Sequence, residues 1–274
     1  LETGSEELVA RYAQNGREAV NIVQIAGGMA QVEGRNLITR KDLEWVIEFG
    51  HYSPRIDKKV SVGEQVGCIN GLAVLGNSIG TVIDIEVLAI KAPNGKGTIK
   101  ITGIVDEEEL DGKGHKLKKL SSARASVENV LTVLRKFLDI DTREYDIHIN
   151  FPGGVPIDGP SAGIAIATAV YSAIKNIPVS TCIAMTGEIS IRGKVKPVGG
   201  VVAKVEAARL AGIKKVLIPE ENWQELFNDM DIEVIPVSDI NQVFDITFGR
   251  NENKVKGEFS IQKPSISVIS ASGV

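Results

Sequence analysis

Cysteine and histidine are scarce in this sequence. Two cysteines, Cys68 and Cys182, stand far apart with no ligand spacing around them. That excludes a disulfide framework or a zinc site as the organising device and makes a reducing cytoplasm the expected setting. The three histidines are His51, His115 and His148. No uninterrupted apolar run is long enough to span a bilayer, and the opening LETGSEELVARYAQ has no signal-peptide pattern. Charge of one sign is also missing: a formal net charge of −4 gives no reason to expect nucleic acid as a partner. There is no internal repeat. There is no G-x-x-x-x-G-K-S/T phosphate loop, and GKGT at 95–98 is too short and wrongly ordered, so ATP binding by this chain is not expected. An initiator Met is lacking too, and the chain opens inside an apparent helix. The expectation is a piece of a longer protein.

What is present is ordinary for a globular chain. Its 274 residues suffice for one large domain with a smaller piece attached, and 43% hydrophobic with 24% charged content suits a packed core. Residues 5–49 read as helical. Leu8, Val9 and Tyr12 form one stripe, and Val20, Ile22, Val23, Ile25 and Ala26 form another before Gly27-Gly28. Thr39 opens a third helix with Asp42 in its first turn and Gly50 past its end. Three short helices bury little surface by themselves. Residues 51–60 form a polar linker. VSVGEQVGCINGLAVL, GTVIDIEVLAIKA and GTIKITGIV read as antiparallel strands. The acidic stretch 106–116 reads as a solvated loop, its spacing being wrong for an EF-hand. Leu120, Val127, Val130, Leu131, Leu134 and Leu138 mark an amphipathic helix over 117–138. Strand YDIHINF, helix 162–174, strand TCIAMTGEISI and helix 201–211 follow. Strand KKVLIP, helix ENWQELFND, strand IEVIPV and helix SDINQVFDITF complete an α/β or α+β domain. Residues 249–274 are polar and Ser-rich, as in a loosely ordered tail.

The most informative stretch is FPGGVPIDGPSAGIAIATAV at 151–170. Gly and Pro shape a rigid loop, and Ser161 stands where that loop enters a run of small apolar residues. There, a hydroxyl serves as a helix N-cap or as a nucleophile beside outward-pointing N–H groups. GPSAG matches the G-x-S-x-G elbow, but that elbow needs a later His, and every His precedes Ser161. A His–Asp–Ser order is left open by residue supply, although His148 alternates with Ile147 and Ile149 as a structural strand residue does. Ser172-Ala-Ile-Lys175 is an S-x-x-K match without its companion motifs.

A serine without histidine needs another base, and lysine is the usual substitute. In VVAKVEAARLAG, Lys204 shares a helical face with Val201, Ala207, Ala208 and Ala211, while Glu206 and Arg209 point elsewhere. Burying an ammonium is costly unless it is paired or neutral. The alternative is a lysine snorkelling at the stripe's edge.

DGPSAG followed by a small apolar helix resembles the nucleophile segment of the Lon protease family. TGEISIRGKVKPVGGVVAKVEAARLAGIKKVLIP resembles the family's second signature, which carries its lysine. The resemblance implies Ser161 as nucleophile and Lys204 as general base over an α/β (α+β) Lon-type protease domain at 61–248. Thr186 matches a family hydroxyl that contacts the lysine. Asp158 matches the acidic position before the nucleophile, where it holds the loop. NGREAVNIV and ITRKDLEWVI resemble the end of an all-α AAA+ helical lid, placing that remnant at 1–50, with Arg17 at its sensor position. Gly153 and Ile157 stand where the common bacterial form has Glu and Lys, and this apolar, Gly-rich version resembles the LonB-like branch more closely. The resemblance further implies an ATP-dependent serine endopeptidase, a homo-hexamer acting on unfolded, damaged or regulatory proteins. ATP and Mg would serve the full-length protein, with no cofactor or metal in this fragment. Two other classes stay open: an inactive scaffold, and an acyl hydrolase using the same pair.

Overall fold

The structure is a computed structural model that describes residues 1–13, 15–54, 58–75, 79–103, 107–112, 115–120, 122–153 and 159–249. The polar tail beyond Gly249 lies outside them. Three helices come first: α1 (Ser5–Tyr12), α2 (Gly16–Val32) and α3 (Arg40–Phe49). As the sequence predicts, Thr39 caps α3. Its side chain accepts from the Asp42 N–H, and the Asp42 carboxylate accepts from the Thr39 N–H, a reciprocal capping box closed by Gly50 at the other end. Val9, Ile22, Ala26, Leu43, Val46 and Ile47 make a small core of their own. One expectation fails here. α2 does not stop before Gly27-Gly28 but runs on to Val32. Ala26 and Ala30 continue the buried stripe of Ile22 at four-residue spacing. Ile38 packs 3.4 Å from where a Gly27 Cβ would stand. Tertiary contact thus offsets the helix cost of about 1 kcal/mol per glycine.

The elements that follow are β1 (Glu64–Gln65), β2 (Cys68–Leu75), β3 (Ile79–Lys91), β4 (Ile99–Thr102), β5 (Glu107–Gly112), β6 (His115–Leu120) and α4 (Ser122–Leu138). Next come β7 (Tyr145–Asn150), α5 (Gly163–Lys175), β8 (Val179–Ser180), β9 (Ile183–Met185), β10 (Glu188–Ile189), β11 (Val195–Lys196) and α6 (Val201–Leu210). The last are β12 (Lys215–Pro219), β13 (Glu233–Val237) and α7 (Ile240–Phe248). Seven strands form one mixed sheet in the order β13-β12-β9-β2-β3-β7-β4. β2 and β3 pair antiparallel as read from the sequence, but β4 pairs parallel to β7. The acidic stretch is not a loop: β5 and β6 pair antiparallel, with Glu109 in register with Lys118. Its charge density hid a strand pattern. α4 accordingly starts at Ser122, and Leu120 belongs to β6. ENWQELFND is not an α-helix but two short 3-10 turns, Glu220–Asn222 and Glu225–Asp229. The Asn222 side chain bonds both backbone groups of Val198, 24 residues earlier in the chain.

Alternation along the strands gives the sheet two apolar faces. On one, Ile69, Ile85, Val87, Ile147 and Ile149 meet α4, α5 and α7. On the other, Leu72, Val82, Ala184 and Val216 meet Val201, Val205, Ala208 and Ala211 of α6. The helices that carry or follow the two predicted site residues therefore lie on opposite faces of one sheet. Among the described residues, no helix is long and apolar enough to cross a membrane.

Candidate active site

Ser161 lies in a short 3-10 turn, Gly159–Ala162, that runs into α5. Ala162 rather than Ser161 takes the N-cap position, and no side chain caps the helix. The capping role that the sequence allows for Ser161 is not the one it fills. α5 is buried from Gly163 through Val170, which fixes the turn ahead of it. Gly163 allows a close approach that any other residue would block: its Cβ would stand 2.7 Å from the Ile189 nitrogen. Through this gap the Gly187 N–H donates to the Ser161 carbonyl at 2.8 Å, and the Ile164 N–H donates to the Gly187 carbonyl at 3.1 Å.

Thr186 immediately follows β9. Its N–H is tied to the Leu217 carbonyl of β12 at 3.0 Å. Its fully buried hydroxyl donates to the Ser161 carbonyl at 3.1 Å. Lys204 Nζ donates to that same hydroxyl at 3.2 Å. The three positions named from sequence are thus brought together: Lys204 to Thr186, and Thr186 to Ser161. Lys204 is 2% exposed and Ser161 4%. Lys204 does not snorkel. It stands among Val201, Val205, Ala208 and Ala211, all buried, while Glu206 and Arg209 pair with each other at 2.6 Å away from that stripe. Ala207, expected on the stripe, is half-buried at its edge. The arrangement sets a buried amine beside a turn that carries a hydroxyl.

The other sequence candidates do different work. Ser172 is fully buried, accepts from the Gly67 N–H at 2.8 Å and donates to the Ile177 carbonyl, while Lys175 is exposed, so their S-x-x-K spacing is structural. His148 Nε2 lies 3.0 Å from Thr102 Oγ1, on the β7–β4 part of the sheet. His51 is exposed beyond α3, and the side chain of His115 is outside the described residues. So are Asp158 and Ile157, with Gly153 just before them at φ +98°. Both cysteines are free thiols, and burial, then Glu86 and Asp84, push the Cys68 thiol up. Arg17 is exposed in the first turn of α2, and Asn15 already caps that turn by accepting from the Glu18 N–H at 2.9 Å. Sequence reading does not single out Gly163 or Gly187. Their only signal is the small residue in SAG and in TGE.

This fold has known relatives. Residues 37–250 match the Lon protease (S16) C-terminal proteolytic domain, and the chain belongs to that family. Among individual relatives, it is 50% identical over 240 residues to Lon protease 2 of Bacillus subtilis, covering 87% of this chain and 43% of that protein. It is 37% identical over 265 residues to the Archaeal Lon protease of Archaeoglobus fulgidus, covering 89% and 40%. It is 35% identical over 259 residues to the Archaeal Lon protease of Pyrococcus abyssi, covering 87% and 24%. The chain therefore spans less than half the length of each of these relatives.

Proposed function

We propose that this chain is the peptide-cleaving part of an ATP-dependent serine endopeptidase working through a Ser161–Lys204 dyad. One observation carries the reading: a lysine 2% exposed reaches, through the Thr186 hydroxyl, the carbonyl of a serine at the mouth of a buried helix. Ser161 Oγ attacks the peptide carbonyl as Lys204, uncharged, takes its proton. Backbone N–H groups of the turn at the start of α5 stabilise the oxyanion. Lys204 then returns the proton to the leaving amine, and water hydrolyses the acyl-enzyme. Thr186 holds the amine in place and keeps the Ser161 backbone from rotating.

Residues 1–50 are read as the end of a helical lid, 51–60 as the linker and 61–248 as the protease domain. The remainder of the full-length protein would supply ATP hydrolysis, a hexameric ring and the delivery of unfolded, damaged or regulatory proteins. The test is turnover of an unstructured peptide together with fluorophosphonate labelling, for wild type, Ser161→Ala and Lys204→Ala. Labelling confined to wild type supports the dyad. Undiminished cleavage by folded Lys204→Ala would refute it. Ester turnover without peptide turnover favours the acyl hydrolase, and absence of labelling in wild type favours the scaffold.

A further inference from the structure

α6 presents Lys204 to the site, yet the contacts that hold α6 in place come largely from elsewhere in the chain. Gly80 of β3 is pressed against the first turn of the helix. A Cβ there would stand 1.8 Å from the Ala203 oxygen and 3.0 Å from the Lys204 nitrogen. At its N-terminal end, Gly200 sits at φ +66°, where a Cβ would meet Val74 at 2.6 Å. At its C-terminal end, the Lys59 ammonium donates to the Leu210 carbonyl at 2.8 Å, and the Val60 N–H donates to the Ala211 carbonyl at 3.0 Å. Lys58 anchors the same segment to β3 through an ion pair with Asp84. A cation at a helix C-terminus is favourably placed against the last carbonyls and the helix dipole.

We infer that residues 58–60 and Gly80 form a clamp that sets the position of α6, and that Gly80 and Lys59 are positioning residues for Lys204. This rests on the dyad proposed above. The clamp has two members, the backbone contact at Gly80 and the strap at 58–60. A change at either member shifts the helix that holds the base. The chemistry is sensitive to such shifts, because a misplacement of about 1 Å can slow a reaction about a hundredfold.

The experiment measures the rate of Ser161 labelling by a fluorophosphonate against pH, with the thermal midpoint on the same samples. Wild type, Gly80→Ala, Lys59→Met, Lys59→Arg and Lys204→Met are compared. Gly80→Ala has to move the Ala203–Lys204 peptide away from β3, and it is expected to label about a hundredfold more slowly, with a displaced pH profile. Lys59→Met alters an exposed side chain and leaves the fold intact. It is expected to label about fivefold more slowly, the loss matching one hydrogen bond, and Lys59→Arg is expected to recover the rate. If both Gly80→Ala and Lys59→Met label at the wild-type rate and pH profile while Lys204→Met does not, the clamp is refuted and the dyad stands. If Gly80→Ala does not fold, Lys59→Met decides alone: a lower midpoint with an unchanged rate and profile overturns the inference. If Lys204→Met labels like wild type, the dyad itself is wrong.

Discussion

Two polar clusters in this molecule set a basic side chain in different surroundings. In the N-terminal helices, Arg35 binds both oxygens of Asp42, at 2.9 and 2.7 Å, and also Glu33 at 2.6 Å. The guanidinium stays partly in water, at 32% side-chain exposure, with its countercharges in contact. That cluster fastens the start of α3 to the turn after α2. In the protease domain, Lys204 is buried and donates to the Thr186 hydroxyl. Charge paired with opposite charge holds a fold together. A buried basic group beside a hydroxyl stands where the proposed dyad needs a proton to move. The contrast predicts that altering the first cluster costs stability without touching chemistry, and that altering the second does the reverse.

The largest expected effect is at Ser161. Ser161→Ala should abolish fluorophosphonate labelling and peptide turnover with little change in thermal midpoint, as measured by active-site labelling and calorimetry. Next is Thr186→Val, which keeps the shape but removes the hydroxyl between Lys204 and Ser161. Turnover should fall by about 10- to 100-fold, since the relay costs a hydrogen bond at each end, and Thr186→Ser should regain most of it. Third is a contrast between serines. Ser172→Ala leaves the Gly67 N–H without its acceptor and should destabilise the domain by about 1–3 kcal/mol in urea unfolding, while labelling of Ser161 stays at the wild-type rate.

The smallest effect separates the helices from the rest. The Arg35 side chain, helped by the Thr39 N–H, holds the Asp42 carboxyl well below its usual range. A carboxyl depressed on folding contributes stability that is complete above its unfolded value of about 3.9 and is lost as pH falls toward the folded value. Acidification below about pH 4 should therefore weaken α1–α3. Trp45, which stacks on Phe49 at 4.4 Å within α3, reports this by fluorescence in a Trp223→Phe background. Asp42→Asn should flatten that pH dependence. An unchanged acid transition would break the comparison on the charged side.

Much of the site is visible in the chain itself because its determinants are local. The offsets in VVAKVEAARLAG already turn Lys204 inward, and the Gly/Pro loop before a run of small residues already sets Ser161 apart. The capping box at Thr39 and Asp42 is equally local. What escapes the sequence depends on partners distant in the chain. β4 and β3 have similar patterns, and only the sheet decides that β4 lies parallel to β7. Gly80 looks like any strand glycine until α6 crosses it. Gly27-Gly28 looks like a helix end until Ile38 packs against it. Charged residues in 106–120 mask an antiparallel pair because strand pairing needs backbone, not hydrophobicity.

The central claim is that Lys204 is a base, not a structural cation, and replacing it by a side chain of similar length and no charge tests it most directly. The rate of Ser161 phosphonylation and the melting temperature are to be measured side by side for wild type and Lys204→Met. The expected result is a rate lower by about 10²–10⁴, the scale of a general base, with a melting temperature equal to or above that of wild type, since the variant buries an apolar chain where an amine stood. A folded Lys204→Met protein that is phosphonylated at the wild-type rate would contradict the account.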